Sequence, residues 1–260
     1  MVVLAAAVVL LAIPARADSL GARLVPPAGY QRVAVATGSF GAWLRELPLK
    51  PGRPDVTLFD GRPKGRQDVH EAVLDIDVGR RDLQQCADAV MRLRAEWLWA
   101  AGRWREIAFD ATNGERLSYA RWRAGGRPRA LGRRIVWDQV DEQDLSYRGL
   151  RRYLDFVFMY AGSASLAREL RRVAKAADLE PGDVFIQGGY PGHAVLVTDV
   201  AVSASGDKVF LLTQSYMPAQ DIHVLRDFAE PTLSPWFHAS DAKPLETPEW
   251  TFPPGSLKRF

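Results

Sequence analysis

PGDVFIQGGYPGHAVLVTDVAVSASGDKVFLLTQ, residues 181–214, is the stretch on which the fold turns. Pro181-Gly182-Asp183 turns the chain into a short apolar run at Val184 to Ile186, and Gly188-Gly189 interrupts it. His193 to Val202 then reads as a long, mostly buried strand, and Ser205-Gly206-Asp207 is a hairpin signal before the return strand Lys208 to Thr213. The two long strands are expected to pair antiparallel. This arrangement exposes the His193 imidazole at a sheet edge directly after a Gly-rich loop, where a side chain of ordinary pKa near 6.5 suits general base work. Gln214 closes the return strand, and its amide is placed to orient the imidazole or to donate to an oxyanion.

Working outward, His70 to Val78 (HEAVLDIDV) alternates with period two and is expected as a half-buried strand, His70 sharing a face with Ala72, Leu74 and Ile76. Asp82 and Gln85 have capping-box spacing and open the clearest helix, with Leu83, Cys86, Val90, Leu93 and Trp97 on one face. Further helices are expected over Ser146 to Tyr160 and Ser163 to Ala177. Short strands are expected near Ile107 to Phe109, with a turn at Thr112-Asn113-Gly114. The sum is an α+β domain, an antiparallel sheet packed against helices, spanning residues 18–260 as one unit.

Residues 2–14 are apolar and are followed by Ala15-Arg16-Ala17, the pattern of a cleavable signal peptide over residues 1–17, although no Lys or Arg precedes the apolar run. The run is too short to span about 30 Å of hydrocarbon, so no permanent membrane span is expected. The expected location is the periplasm or cell surface. Without residues 1–17 the chain has 33 basic and 31 acidic residues, a balance that argues against nucleic acid as a partner. The single cysteine, Cys86, excludes an intramolecular disulfide framework.

Cys86 has two readings. Its place on the apolar stripe predicts a buried core thiol. Its place one turn into a helix, after Gln84 and Gln85 as oxyanion donors, suits a nucleophile whose pKa the helix N-terminus lowers. No HExxH or paired-His spacing occurs, so neither a metal nor another cofactor is expected. Seven arginines and no acid between Arg116 and Arg134 form either a solvated hairpin or a surface for anionic glycans. Tyr216, Trp236 and Trp250 form either a sugar-stacking platform or the packing of the C-terminal tail.

From about residue 146 to 214 the chain resembles the NlpC-like cell-wall peptidases of the papain-like superfamily, on Gly182-Asp183-Val184 and Gly192-His193-Ala194. The resemblance implies a Cys–His pair completed by a polar residue, with His193 and Gln214 carried over and peptidoglycan or another cell-wall polymer as partner. Where those enzymes place the nucleophile, this chain reads Asp144-Leu145-Ser146-Tyr147-Arg148-Gly149-Leu150, with Ser146 in place of a thiol. Over nearly its whole length the chain is also similar to a bacterial family catalogued as domain of unknown function 4846. That likeness rests on Asp60-Gly61 with Lys64, His70 to Asp77, DLQQCADAV, Arg92 to Glu96, Gly192-His193 and Gln214 to Asp221. The candidate catalytic residues are therefore His193, Cys86 and Gln214, and the candidate binding residues are Gln85, Arg92, Glu96, Tyr216, Gln220 and Trp236. Ser146, Ser215 and Glu96 are the alternative nucleophiles. The expected activity is that of a thiol amidase or peptidase on peptidoglycan-type amide bonds. The rival expectation is a catalytically degenerate domain that binds cell-wall glycan or peptide.

Overall fold

The computed structural model describes residues 18–141 and 143–260, and the expected signal peptide lies outside them. The hairpin read from residues 181–214 is the centre of the molecule. β8 (Val184–Gln187), β9 (His193–Ser203) and β10 (Lys208–Gln214) are neighbours in a nine-stranded sheet in which every pairing is antiparallel. Outward from β10 come β11 (His223–Leu225) and β2 (His70–Val73). Outward from β8 come β15 (Leu257–Arg259) and β7 (Arg171–Arg172). β1 (Tyr30–Arg32) joins the far end of β9, and β12 (Phe237–His238) joins the far end of β10.

The near-continuous apolar character of β9 follows from cover on both faces. Ala194 and Leu196 belong to the core shared with the helices, whereas Val195 and Val197 pack with Phe210, Phe237, Phe252 and Leu257 on the other side. Asp199 breaks the apolar run and is wholly buried, but its carboxylate accepts from Arg32 Nε at 2.5 Å and Arg45 Nε at 2.7 Å. Those contacts tie β9 to β1 and to α2 (Phe40–Arg45), which follows the N-terminal α1 (Leu20–Arg23).

α3 (Cys86–Ala100) crosses β9 and is buried along most of its length. It begins three residues later than the Asp82 spacing predicts. Gln85 is the N-cap, and Asp88 reaches back to accept from the Gln85 backbone N–H at 3.0 Å. The Asp82 carboxylate instead accepts from Gln85 Nε2 at 3.0 Å and from the Ala219 N–H at 2.7 Å, so it pins the loop before the helix. Two other expected elements are shorter. β2 stops at Val73, with Leu74 bridging to Leu49 while its N–H still donates to the Ile222 carbonyl oxygen at 2.9 Å, and Asp75 and Asp77 lie beyond the strand. α6 (Ser163–Glu169) stops because Arg171-Arg172 is taken up as β7 by the C-terminal strand.

α5 (Tyr147–Tyr160) forms as expected, capped by Ser146, whose Oγ accepts from the Gly149 N–H at 3.0 Å. Between α3 and α5 lie the hairpin β3 (Ala108–Asp110) and β4 (Arg116–Ser118), α4 (Tyr119–Arg123), and a second hairpin of β5 (Gly126–Leu131) and β6 (Arg134–Gln139). The arginines of this region are largely engaged within the chain. Arg116 meets Asp110 and Glu169, Arg129 meets Asp138 across its hairpin, and Arg121 lies over the Trp137 ring. The tail adds the small hairpin of β13 (Leu245–Glu246) and β14 (Thr251–Phe252) before β15.

Candidate active site

His193 is the first residue of β9, paired with Gln187 of β8. It is not exposed at a sheet edge as expected, because its strand lies between β8 and β10 and rings of the tail cover it, and it is 2% exposed. The glycine before it is a packing necessity: a Cβ on Gly192 would lie 2.3 Å from Ser163 Oγ and 2.7 Å from the Gln187 and Gly189 carbonyl oxygens. The imidazole is walled by Tyr216, Trp250 and Phe252, with ring centroids at 5.0, 5.3 and 5.8 Å. Burial pushes its pKa down to about 4; the hydrogen bond to Gln214 opposes this and the Lys64 charge adds to it. Its Nε2 lies 2.9 Å from Gln214 Oε1 at the end of β10, and Nδ1 has no hydrogen-bond partner among the described residues.

Cys86 is the first residue of α3, and the packing of α3 on β9 carries it to this site across the long separation in sequence. The Ala194 backbone N–H, one residue beyond His193, acts on the thiol, and so do those of Cys86 and Ala87. These amides favour the thiolate, but burial outweighs them. With the nearby Asp88 charge adding to it, burial pushes the thiol up to about 11, and the residue is only 8% exposed. The buried-thiol reading holds, whereas the lowered pKa expected of a thiol at a helix N-terminus does not, because burial outweighs the amides there. Of the two upstream glutamines, Gln85 spends its Nε2 on Asp82, whereas the buried Gln84 keeps an unpartnered Nε2 while its Oε1 accepts from Arg92.

Beyond Gln214 the polar contacts continue. Gln214 Nε2 donates to Glu249 Oε2 at 2.7 Å, and Lys64 Nζ donates to Glu249 Oε1 at 2.6 Å. The Lys64 ammonium also stands 5.0 Å from the Tyr216 ring centre. On the other side Gln214 Nε2 is 3.4 Å from His223 Nε2, and His223 Nδ1 faces the Asp221 carbonyl oxygen at 2.9 Å. Sequence reasoning assigned no role to Glu249, His223 or Lys64. Only the position of Lys64 in the family likeness marked it, and no local pattern marks the other two.

Several expected binding residues lie elsewhere. Trp236 is buried at the opposite end of β10, its Nε1 donating to the Val25 carbonyl oxygen at 3.0 Å, so it is no part of a stacking platform. Arg92 is buried and bonded to Gln84 and to the Asp77 carbonyl oxygen, and Glu96 accepts from Tyr147 Oη at 2.6 Å; this pair fastens α3 to α5. Gln220 is buried beside Leu58. Tyr216 and Trp250 do border the histidine. The alternative nucleophiles are all engaged away from His193. Ser146 donates to Asp144 at 2.6 Å as a helix cap, Ser215 donates to the Gln84 and Gln220 carbonyl oxygens, and Glu96 holds Tyr147. His70 is a core histidine whose Nε2 lies 2.9 Å from the Pro54 carbonyl oxygen.

Chemically, the site holds a neutral thiol at the N-terminus of α3 and a neutral imidazole at the start of β9, the strand on which α3 packs. An open groove lined by Arg66, Gln187, Pro248, Glu249 and Trp250 runs beside it. No helix of the described residues is long and apolar enough to cross a membrane. One family model matches the chain, over residues 20–259, with the description Domain of unknown function (4846). No curated protein and no solved structure matches.

Proposed function

The chain belongs to the family described as domain of unknown function 4846, and from its buried cluster we propose that it is a thiol hydrolase of papain-like design, cleaving peptidoglycan-type amide bonds in the cell envelope. The observation that carries this reading is the bond from His193 Nε2 to Gln214 Oε1, which leaves Nδ1 free on an imidazole one residue from the amide that meets the Cys86 thiol. A thiol at a helix N-terminus, a histidine on the strand beneath it and a polar residue on the next strand are the parts that covalent catalysis by cysteine requires.

In this reading His193 Nδ1 takes the thiol proton as sulfur attacks the substrate carbonyl carbon. The C–N bond then breaks, the leaving amine takes that proton from His193, and a thioester remains on Cys86. Water, deprotonated by His193, cleaves the thioester, and the proton returns to sulfur. The Cys86 N–H at the open end of α3 and Gln84 Nε2 are the donors for the oxyanion. The groove beside Trp250 is the place for the substrate chain. The nucleophile comes from farther upstream than the NlpC pattern places it, because the hairpins and helices of residues 104–169 intervene between α3 and β8.

The test is release of new amine ends from purified peptidoglycan by residues 18–260, followed by mass spectrometry. Cys86→Ala and His193→Ala should each lower the rate by on the order of 10³-fold or more. Equal cleavage by Cys86→Ala, or no cleavage by the unaltered chain, overturns the proposal. The raised thiol pKa and its burial favour a second reading, a degenerate domain that only binds cell-wall polymer. In that case Cys86→Ala sediments with peptidoglycan as the unaltered chain does, and neither cleaves it.

A further inference from the structure

A side-chain amide can face a histidine with either end, and the two choices give opposite chemistry. If Gln214 presents its oxygen, His193 must carry hydrogen on Nε2, and Nδ1 is a bare acceptor. If it presents nitrogen, Nε2 is the acceptor, Nδ1 carries the hydrogen, and the imidazole cannot take a proton from Cys86. The surroundings of Gln214 decide between them. The Glu249 carboxylate only accepts hydrogen bonds, and it is held at 2.6 Å by Lys64, both side chains being about nine-tenths buried. The Asp221 carbonyl oxygen also only accepts, so His223 carries its hydrogen on Nδ1. Burial keeps His223 neutral, with a pKa pushed down to about 3, so its Nε2 is an acceptor facing Gln214. Two acceptors thus meet one end of the amide, and only the NH₂ group satisfies both.

We infer that Glu249, held in place by Lys64, is a positioning residue which, together with His223, fixes the orientation of the Gln214 amide and thereby the proton-accepting tautomer of His193. A reversed amide would set its oxygen against the Glu249 carboxylate and leave His223 Nε2 without a donor. Glu249 touches neither the thiol nor the imidazole and acts through Gln214. The catalytic meaning of the tautomer rests on the reading of His193 as base toward Cys86, but the tautomer itself is measurable without any substrate.

The experiment is long-range ¹H–¹⁵N NMR of the imidazoles in the chain from residue 18 to 260, at pH 7. The unaltered protein is expected to show His193 with a protonated Nε2 and a bare Nδ1. Glu249→Gln, which can offer either end of its own amide, should shift the His193 pattern toward protonated Nδ1. Because this change strands the buried Lys64 charge, the paired variant Lys64→Met with Glu249→Gln is measured beside it, and the same shift is expected. Lys64→Arg, which keeps an ion pair, should retain the original pattern. Where peptidoglycan is cleaved, kcat should fall by about 10²-fold in the first two variants with KM little changed. A protonated Nδ1 in the unaltered protein overturns the inference, as does a His193 pattern that Glu249→Gln and the paired variant leave untouched. The first result would also remove Nδ1 as acceptor of the thiol proton, whereas the second leaves the thiol reading intact, to stand or fall on Cys86→Ala. Conversely, a tautomer that follows Glu249 in a protein that cleaves nothing upholds the positioning role and removes the hydrolase.

Discussion

The backbone N–H of Ala194, one position beyond His193 on β9, is among the amides that act on the Cys86 thiol at the start of α3. That amide favours the thiolate, yet burial dominates and holds the thiol pKa up at about 11. Iodoacetamide should therefore modify the native protein slowly, with a rate that keeps rising through pH 9 and reaches no plateau. His193→Ala should change that profile little, since the imidazole is neutral at these pH values. A plateau below pH 8 would show an ion pair instead.

His193 and His223 both have depressed pKa values in the fold, about 4 and about 3, against an ordinary 6.5. Above pH 6.5 neither binds a proton in either state, and neither makes stability depend on pH. Below 6.5 the unfolded chain takes up protons that the folded chain refuses, so stability falls as pH falls toward 4. Each group contributes a slope of about 1.4 kcal/mol per pH unit inside that window. Urea unfolding from pH 4.5 to 7 should show His193→Gln with a shallower dependence than the unaltered protein by one such slope.

Asp199 is wholly buried and accepts from two arginines, so its loss leaves Arg32 and Arg45 without their carboxylate. Asp199→Ala should cost about 3 kcal/mol or more in urea unfolding. Because Asp199 lies at the far end of β9 from His193, any residual folded protein should keep the His193 tautomer.

Gly192 has no room for a methyl group. Gly192→Ala should destabilise the protein by about 1 to 3 kcal/mol and displace the start of β9, which NMR of the His193 ring would register. Replacing Gly206, where a Cβ meets nothing but φ is +92°, should leave that ring undisturbed.

The central hairpin was legible because β9 and β10 announce themselves by long apolar runs with a turn signal between them, and so was the helix α5, though not the role of Ser146 as its cap. The boundaries that failed did so for long-range reasons. The end of β2 is set by Leu49 and Ile222, which both meet Leu74 from far off in sequence, and Arg171-Arg172 is claimed by a strand from the other end of the chain. At the site, His193 and Gln214 could be named from their strand ends, and Cys86 because it is the sole thiol. Glu249 could not, since it lies in an irregular Pro-rich tail, and only the closed fold brings it 2.7 Å from an amide 35 positions earlier. Trp236 misled because a tryptophan in such a tail looks the same in sequence whether it faces a ligand or the core.

The closure of the site by the Thr247–Phe252 segment also orders events in time. During synthesis Cys86, His193, Gln214 and His223 are all made before Glu249, so an emerging chain has His223 alone to oppose reversal of the amide. If Glu249 acts as inferred, the His193 tautomer is fully fixed only once the tail has docked, and a polypeptide clipped before Glu249 relies on His223 alone.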